Sequence, residues 1–96
     1  TGWFYDHRAN RARIADIAHG ARVLDLYCHT GGFALAAAKA GAAEVVGVDA
    51  SGFALGLANQ AAAENGVAET TKFIEANVFD EATTALLASG KFDIVV

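Results

Sequence analysis

The sequence predicts an α/β domain, a parallel sheet with helices on both faces, and three observations carry that prediction. Four short apolar runs, over Arg22–Tyr27, Glu44–Asp49, Thr71–Glu75 and Lys91–Val96, alternate with stretches of helical character. The connections between them are short, and short strand–helix–strand links imply parallel strands with right-handed crossovers. The first run ends in an acid, crosses a glycine turn and enters a helix (Val23-Leu24-Asp25-Leu26-Tyr27-Cys28-His29-Thr30-Gly31-Gly32-Phe33), and the second, Val45-Val46-Gly47-Val48-Asp49, ends in an acid as well. Two consecutive βα units closed by acids form a nucleotide-like pocket.

Thr1 to Tyr5 is aromatic and extended. Asp6 caps a helix running to about Ala18, with Ile14, Ile17 and Ala21 on one side and Gly20 just past its end. Phe33 to Ala40 is an alanine-rich helix closed by Gly41. Ser51 caps a helix to about Asn65, which Gly66 terminates; Phe53, Leu57 and Ala61 recur at four-residue spacing and define its expected buried face. Gly56 inside that helix suggests a close approach to the sheet. Asp80 caps a short helix ending near Ser89-Gly90. Residues 1–21 thus precede a βαβαβαβ core at 22–96.

Composition narrows the function. The 96 residues are 54% hydrophobic and 19% charged, which suits a packed core and argues against disorder. No apolar run approaches the ~20 residues of a membrane span. One cysteine excludes an internal disulfide and fits a reducing, cytoplasmic setting. The net charge of −4 is uneven: residues 1–22 hold four arginines against two acids, and the remainder holds three lysines against nine acids. That balance does not resemble a free-standing nucleic-acid binder, and the acidic body suits a cationic ligand such as a sulfonium. The chain also stops inside the apolar run Phe92–Val96, which reads as a fragment of a longer protein. The bare edge of that last strand leads us to expect self-association, a homodimer included.

The glycine turn has two readings. It lacks the third glycine of a pyrophosphate fingerprint, and Phe33 would crowd a phosphate, so a phosphate-free cofactor such as S-adenosyl-L-methionine fits better than a dinucleotide. The plain reading is an ordinary strand-to-helix turn. Asp25 offers an acceptor for an ammonium. Asp49, eighteen residues past Gly31, is spaced to hold a ribose diol, or alternatively to cap the next helix, for which Ser51 is better placed. Asn77 and Val78 follow strand three, where a side-chain amide and a backbone N–H are positioned for adenine; a turn asparagine is the competing reading. Phe79 reads as core. Cys28 has no base except its neighbour His29, and neighbours on a strand point apart, so we expect a buried inert thiol. The three histidines show no metal spacing. Arg8 and Arg11, about a helical turn apart, face either a carboxylate or phosphate partner or solvent.

These segments together resemble class I S-adenosylmethionine-dependent methyltransferases, a Rossmann-like fold. Within them the chain is similar to the large-subunit ribosomal RNA cytosine-5 methyltransferases. The resemblance is carried by Thr1–Arg11 (TGWFYDHRANR), VLDLYCHTGGFAL, EVVGVDAS, ANQAAAENGV, FIEANVFD and KFDIVV, and it spans nearly the whole chain. It implies strand order 3-2-1-4 and S-adenosyl-L-methionine contacts around Asp25, His29, Thr30, Gly31, Gly32, Phe33, Asp49, Ala50, Ser51, Asn77 and Val78. An arginine of the first segment, Arg8 or Arg11, is implied near the methionine carboxylate. The family often has Tyr where His29 stands and Asp where Asn77 stands, so contacts there differ in detail. The family's Asp-Pro-Pro turn and catalytic cysteine would follow strand four, and this chain has no proline. The implied protein is an RNA methyltransferase, with ribosomal RNA contacted mainly by other parts. A guanine N7 methyltransferase, a nicotinamide dehydrogenase and a non-catalytic binding module are the alternatives.

Overall fold

The computed structural model describes residues 17–26, 28, 29, 31–77 and 80–96, the side chain of Ala82 excepted. The aromatic start, nearly all of the helix expected from Asp6, Arg8, Arg11, Tyr27, Thr30, Val78 and Phe79 lie outside the described residues. Strands β1 (Arg22–Leu26), β2 (Glu44–Asp49), β3 (Thr71–Glu75) and β4 (Ile94–Val95) alternate with helices α1 (Gly32–Lys39), α2 (Gly52–Glu64) and α3 (Glu81–Ala88). All pairings are parallel and the strand order is β3-β2-β1-β4. The α/β class and the order 3-2-1-4 therefore stand as expected. β4 is shorter than the run Lys91–Val96 expected for it. Its ladder with β1 is nonetheless extended by backbone bonds from Asp93 to Arg22 and from Leu26 to Val96.

The sheet is built from β-branched and leucine residues because both of its faces are covered. Side chains alternate between faces with period two. Val23 and Val45 join Ala34, Ala37 and Ala38 of α1 in one core. Leu24, Val46 and Val48 face the other way and meet Leu86 of α3, Ile74 and Phe92. Val23, Leu24, Val45 and Val48 are fully buried, each worth about 1.5–3 kcal/mol. A groove of about 290 Å3 on the α3 side is lined by Val46, Lys72, Ile74, Leu86, Lys91 and Phe92.

The helix starts follow their expected caps. The Ser51 hydroxyl accepts from the Ala54 N–H at 3.2 Å, and Asp80 accepts from the Thr83 N–H at 2.9 Å. The buried face of α2 differs from the expectation. It is Leu55, Ala58 and Ala62, whereas Phe53 is 82% exposed and Leu57 42% exposed. The reason is proximity: Ala58 packs under the turn at Gly31, where a Cβ would come within 3.1 Å of the Ala58 methyl. Only a small side chain fits there, so the helix turns its alanines inward and its larger residues outward. Gly56 shares that outward exposure, and a Cβ on it would meet nothing within 4 Å, so it serves no close approach. Ile17 is likewise exposed, with Ala18 buried beside it.

Candidate cofactor site

The site lies along the C-terminal edge of the sheet, where open α/β sheets place their ligands. Parallel register sets Asp25 beside Gly47 and Gly47 beside Phe73, while Asp49 pairs with Glu75 one step further on. Two-residue alternation puts all of these side chains on the face that carries α1 and α2. Gly47 is required here by close approach. A Cβ would stand 2.7 and 2.9 Å from the Phe73 ring and 3.0 Å from the Cys28 sulfur. The ring of Phe73 thus crosses the bare strand at Gly47 and reaches towards Gly31, forming the floor beneath the turn.

The turn itself is compact. Gly31 adopts φ +89, a left-handed conformation that glycine takes without cost, and its N–H donates to the Cys28 carbonyl at 2.8 Å. His29 is also left-handed, at φ +51. That conformation aims the His29 N–H at Asp49 Oδ2, 3.0 Å away. The Ser51 N–H donates to Asp49 Oδ1 at 2.9 Å. Asp49 therefore bridges the turn after β1 and the start of α2.

The two carboxyls differ in their electrostatics. Asp49 is 6% exposed, and burial alone would oppose its ionisation. The N–H groups of Ser51 and His29, the His29 ring and the Ala50 N–H outweigh burial and hold the carboxyl below its ordinary range. Asp25 is 3% exposed. Burial dominates there, the single N–H of Ala34 opposes it, and the charge of Asp49 adds to it, so the carboxyl is pushed up to about 7. Ala34 lies in the first turn of α1, whose N-cap, Gly31, has no side chain to offer. Asp25 thus caps that helix from the neighbouring strand with one oxygen. Its other oxygen, Oδ2, is buried with no hydrogen-bond partner among the described residues.

The arrangement fits an adenosyl sulfonium with an amino-acid tail. An orphaned buried carboxyl oxygen calls for a donor, and an ammonium is one. An ionised carboxylate with lone pairs to spare suits a ribose diol. At Gly31 and Gly47 a Cβ would press on the Ala58 methyl and the Phe73 ring, so the bare backbone lets the turn and the strand pack closely on the floor beneath the site. The two acids near the turn oppose a pyrophosphate.

Residues 17–96 match the family described as a methyltransferase domain. The chain belongs to that family. The methyltransferase domain is 42% identical to the ribosomal RNA large subunit methyltransferase I of Aeromonas hydrophila, over the full chain and 24% of the relative. It is 36% identical to the ribosomal RNA large subunit methyltransferase of Deinococcus radiodurans, again over the full chain and 24% of the relative. The chain thus spans about a quarter of the length of these curated relatives. Among solved structures, the SAM-dependent methyltransferase of Agrobacterium tumefaciens superposes with a TM-score of 0.81 at 26% identity, over 93% of this chain and 30% of that one. One from Geobacter sulfurreducens, in complex with S-adenosyl-L-homocysteine, gives 0.65 at 28% identity over 75% of this chain and 28% of that one. The fold is that of class I methyltransferases.

The structure brings together Asp25, His29, Gly31, Asp49, Ala50 and Ser51 of the residues singled out from sequence. Gly32 starts α1 and is exposed, while Phe33 packs against the alanine core. Asn77 is exposed, and its carbonyl accepts from the Asp80 N–H and the Thr83 hydroxyl, which places it in the cap of α3. Thr30, Val78, Arg8 and Arg11 lie outside the described residues. Cys28 is buried, and burial followed by the charges of Asp25 and Asp49 pushes its thiol up to about 12, in keeping with an inert thiol. Sequence reasoning missed Gly47, Phe73 and Ala58 as the floor of the methyltransferase domain's turn. It also missed Glu75, whose carboxylate lies against Gly52 at the start of α2. The signal for Glu75 was there: β3, like β1 and β2, closes on an acid.

Proposed function

We propose that this chain is the cofactor-binding part of an S-adenosyl-L-methionine-dependent RNA methyltransferase acting on large-subunit ribosomal RNA, with C5 of cytosine as the finer assignment of the methylated atom. The observation that carries the proposal is the pair of carboxyls near the ends of β1 and β2, one ionised and one with an oxygen that has no hydrogen-bond partner among the described residues, beside a glycine turn. The ribosomal target is supported by the names of the relatives from Aeromonas hydrophila and Deinococcus radiodurans. The cytosine assignment rests on the resemblance of the first two segments, Thr1–Arg11 and VLDLYCHTGGFAL.

The bound cofactor supplies a methyl group activated by a sulfonium. This chain's residues bind and orient. Asp49 accepts from the ribose hydroxyls, and its two backbone donors fix the carboxylate plane before the ligand arrives. Asp25 meets the ammonium. Gly31, Gly47 and the Phe73 ring hold the turn close against the sheet beneath the two acids. Cys28 takes no part as a nucleophile, since the thiolate is the reactive form and burial withholds it. The nucleophile and the RNA-contacting surface are assigned to other parts of the full-length protein, which we place in the cytoplasm.

Calorimetry of S-adenosyl-L-homocysteine with the full-length protein tests the cofactor assignment, and transfer of a labelled methyl group to unmodified large-subunit RNA tests the substrate. Saturable binding and a single methylated cytosine are expected. Absence of binding, or label found on protein or small molecules instead of RNA, would overturn the reading.

A further inference from the structure

Asp25 is an unusual acid for a site that takes a cation. Its carboxyl sits on the inner edge of β1 beneath the first turn of α1, with one oxygen engaged by the Ala34 N–H and the other bare. An ionised carboxylate normally collects several donors when it is buried. Among the described residues this one has a single donor, an apolar neighbour in the Val23–Ala34 core, and a second carboxylate at the end of the adjacent strand. A neutral carboxylic acid, by contrast, can keep the Ala34 N–H on its carbonyl oxygen and leaves no net charge in the interior. The empty site thus favours the neutral form, and a bound ammonium favours the charged one.

We infer that Asp25 holds a proton while the site is empty and surrenders it to solvent when the ammonium of the cofactor's amino-acid end arrives, so that cofactor binding and proton release are one event. The inference rests on the reading of the site as one for S-adenosyl-L-methionine, and it adds that reading's dependence on pH. The balance is simple. The neutral carboxyl and the ammonium become a carboxylate–ammonium pair, and one proton leaves to bulk water. The charged and titratable groups that face Asp25 from its surroundings point the same way. Asp49 on β2 stays ionised and repels a second charge. Cys28 stays a neutral thiol. His29 lies against Asp49, with Nδ1 3.7 Å from Oδ2. Glu75 on β3 adds a further carboxylate on this face, against Gly52 at the start of α2, while neither the first turn of α2 nor β4 brings a charged side chain of its own. The carboxyl midpoint of about 7 puts the exchange within the physiological range.

The test is calorimetry of the full-length protein with two ligands, in pairs of buffers that differ in ionisation enthalpy. S-adenosyl-L-homocysteine carries the ammonium; 5′-methylthioadenosine shares the nucleoside and lacks it. With the first ligand, proton release close to one is expected at pH 6, falling towards zero by pH 8, and affinity should be about tenfold weaker at pH 6 than at pH 8. Methylthioadenosine should bind without proton release and with a flat profile. It meets the nucleoside part of the site, so a proton released by any group other than Asp25 appears with both ligands and is subtracted. Asp25→Asn should abolish the release and flatten the profile for S-adenosyl-L-homocysteine, and leave methylthioadenosine unchanged. Binding of S-adenosyl-L-homocysteine with no proton release at pH 6 would overturn this inference while leaving the cofactor assignment intact. Equal release with both ligands would overturn it too, by moving the proton to another group. No binding of either ligand at any pH would remove the cofactor assignment and this inference together.

Discussion

The ends of β1 and β2 carry the same residue type at neighbouring positions of one sheet edge, yet Asp25 and Asp49 behave oppositely. Both are nearly inaccessible to solvent, at 3% and 6% exposure. What separates them is how deeply each is packed and how many N–H groups reach it: burial dominates at Asp25, and backbone donors outweigh it at Asp49. Asp49 lies where two chain segments converge, so the backbone of His29, Ala50 and Ser51 surrounds it. Asp25 lies one strand over, inside the β1–α1 unit, where among the described residues a single helical N–H reaches it. Burial and donor count together set the charge of each carboxyl. An edge that offers one ionised and one protonatable acid can hold a diol and a cation without storing two buried charges.

The largest expected effect tests the Asp25 side of this contrast. Its carboxyl binds a proton more tightly in the folded state, about 7 against an ordinary 3.8. Its contribution to stability is then fully present below about pH 4, is lost as pH rises through 7, and stays lost above. Asp25→Asn removes that penalty, so the ligand-free variant should be more stable than the parent at pH 8 by up to about 4 kcal/mol and nearly equal to it at pH 4. Asp49→Asn should move the other way, because a depressed carboxyl stabilises above its unfolded value and loses that contribution in acid. Thermal midpoints of both variants across this range check the signs. Equal shifts for the two would erase the distinction.

Next in size is ligand affinity. Asp49→Ala removes the diol acceptor and leaves the His29 and Ser51 N–H groups facing an empty space. S-adenosyl-L-homocysteine should bind the variant roughly 10–100-fold more weakly at pH 8, since a hydrogen bond to a charged group is worth about 1.5–3 kcal/mol. Titration calorimetry reads this directly. An unchanged affinity would mean that the better-solvated of the two acids is only a structural cap.

Much of this edge was legible in the sequence. Alternating apolar runs and short links gave the parallel sheet, and the hydroxyl and carboxyl before each apolar helical stretch marked the caps at Ser51 and Asp80. The pair Asp25 and Asp49 stood out because acids rarely close buried strands without a reason. The buried face of α2 was not legible. A periodicity search gives weight to Phe53 and Leu57, whereas the packing there selects the small Ala58 to pass under Gly31, a contact 27 positions away in the chain. The stacking of Phe73 over Gly47 depends on strand register and was hidden for the same reason. The opposed titration of the two acids was hidden too, because donor count is a property of the folded backbone.

A smaller effect isolates the floor from the charges. Gly47→Ala would set a methyl 2.7 Å from the Phe73 ring and 3.0 Å from the Cys28 sulfur. The ring must shift, at a cost of about 1–3 kcal/mol. That cost should be the same at pH 5 and pH 8, because no ionisable group gains or loses a donor. A cost that grows with pH would show instead that the displaced ring buries Asp25 more deeply, and that desolvation there is adjustable.

The smallest effect tests whether backbone or side chain holds Asp49 in its ionised form. His29 contributes both an N–H at 3.0 Å and a ring nitrogen at 3.7 Å to the same oxygen. The ring is 79% exposed, and an ion pair so open to water contributes little. The N–H is fixed by the left-handed turn at φ +51, a conformation glycine adopts without penalty. His29→Gly therefore keeps the donor, removes the ring and relieves the backbone. Its gain in the folded state is offset by the greater freedom of glycine in the unfolded chain, so stability should change by less than about 1 kcal/mol. Affinity for S-adenosyl-L-homocysteine should stay within about twofold, a difference of roughly 0.4 kcal/mol. A loss as deep as that of Asp49→Ala would assign the ionisation of Asp49 to the imidazole, and the contrast between the two strand ends would then rest on a side chain and no longer on the geometry of the turn.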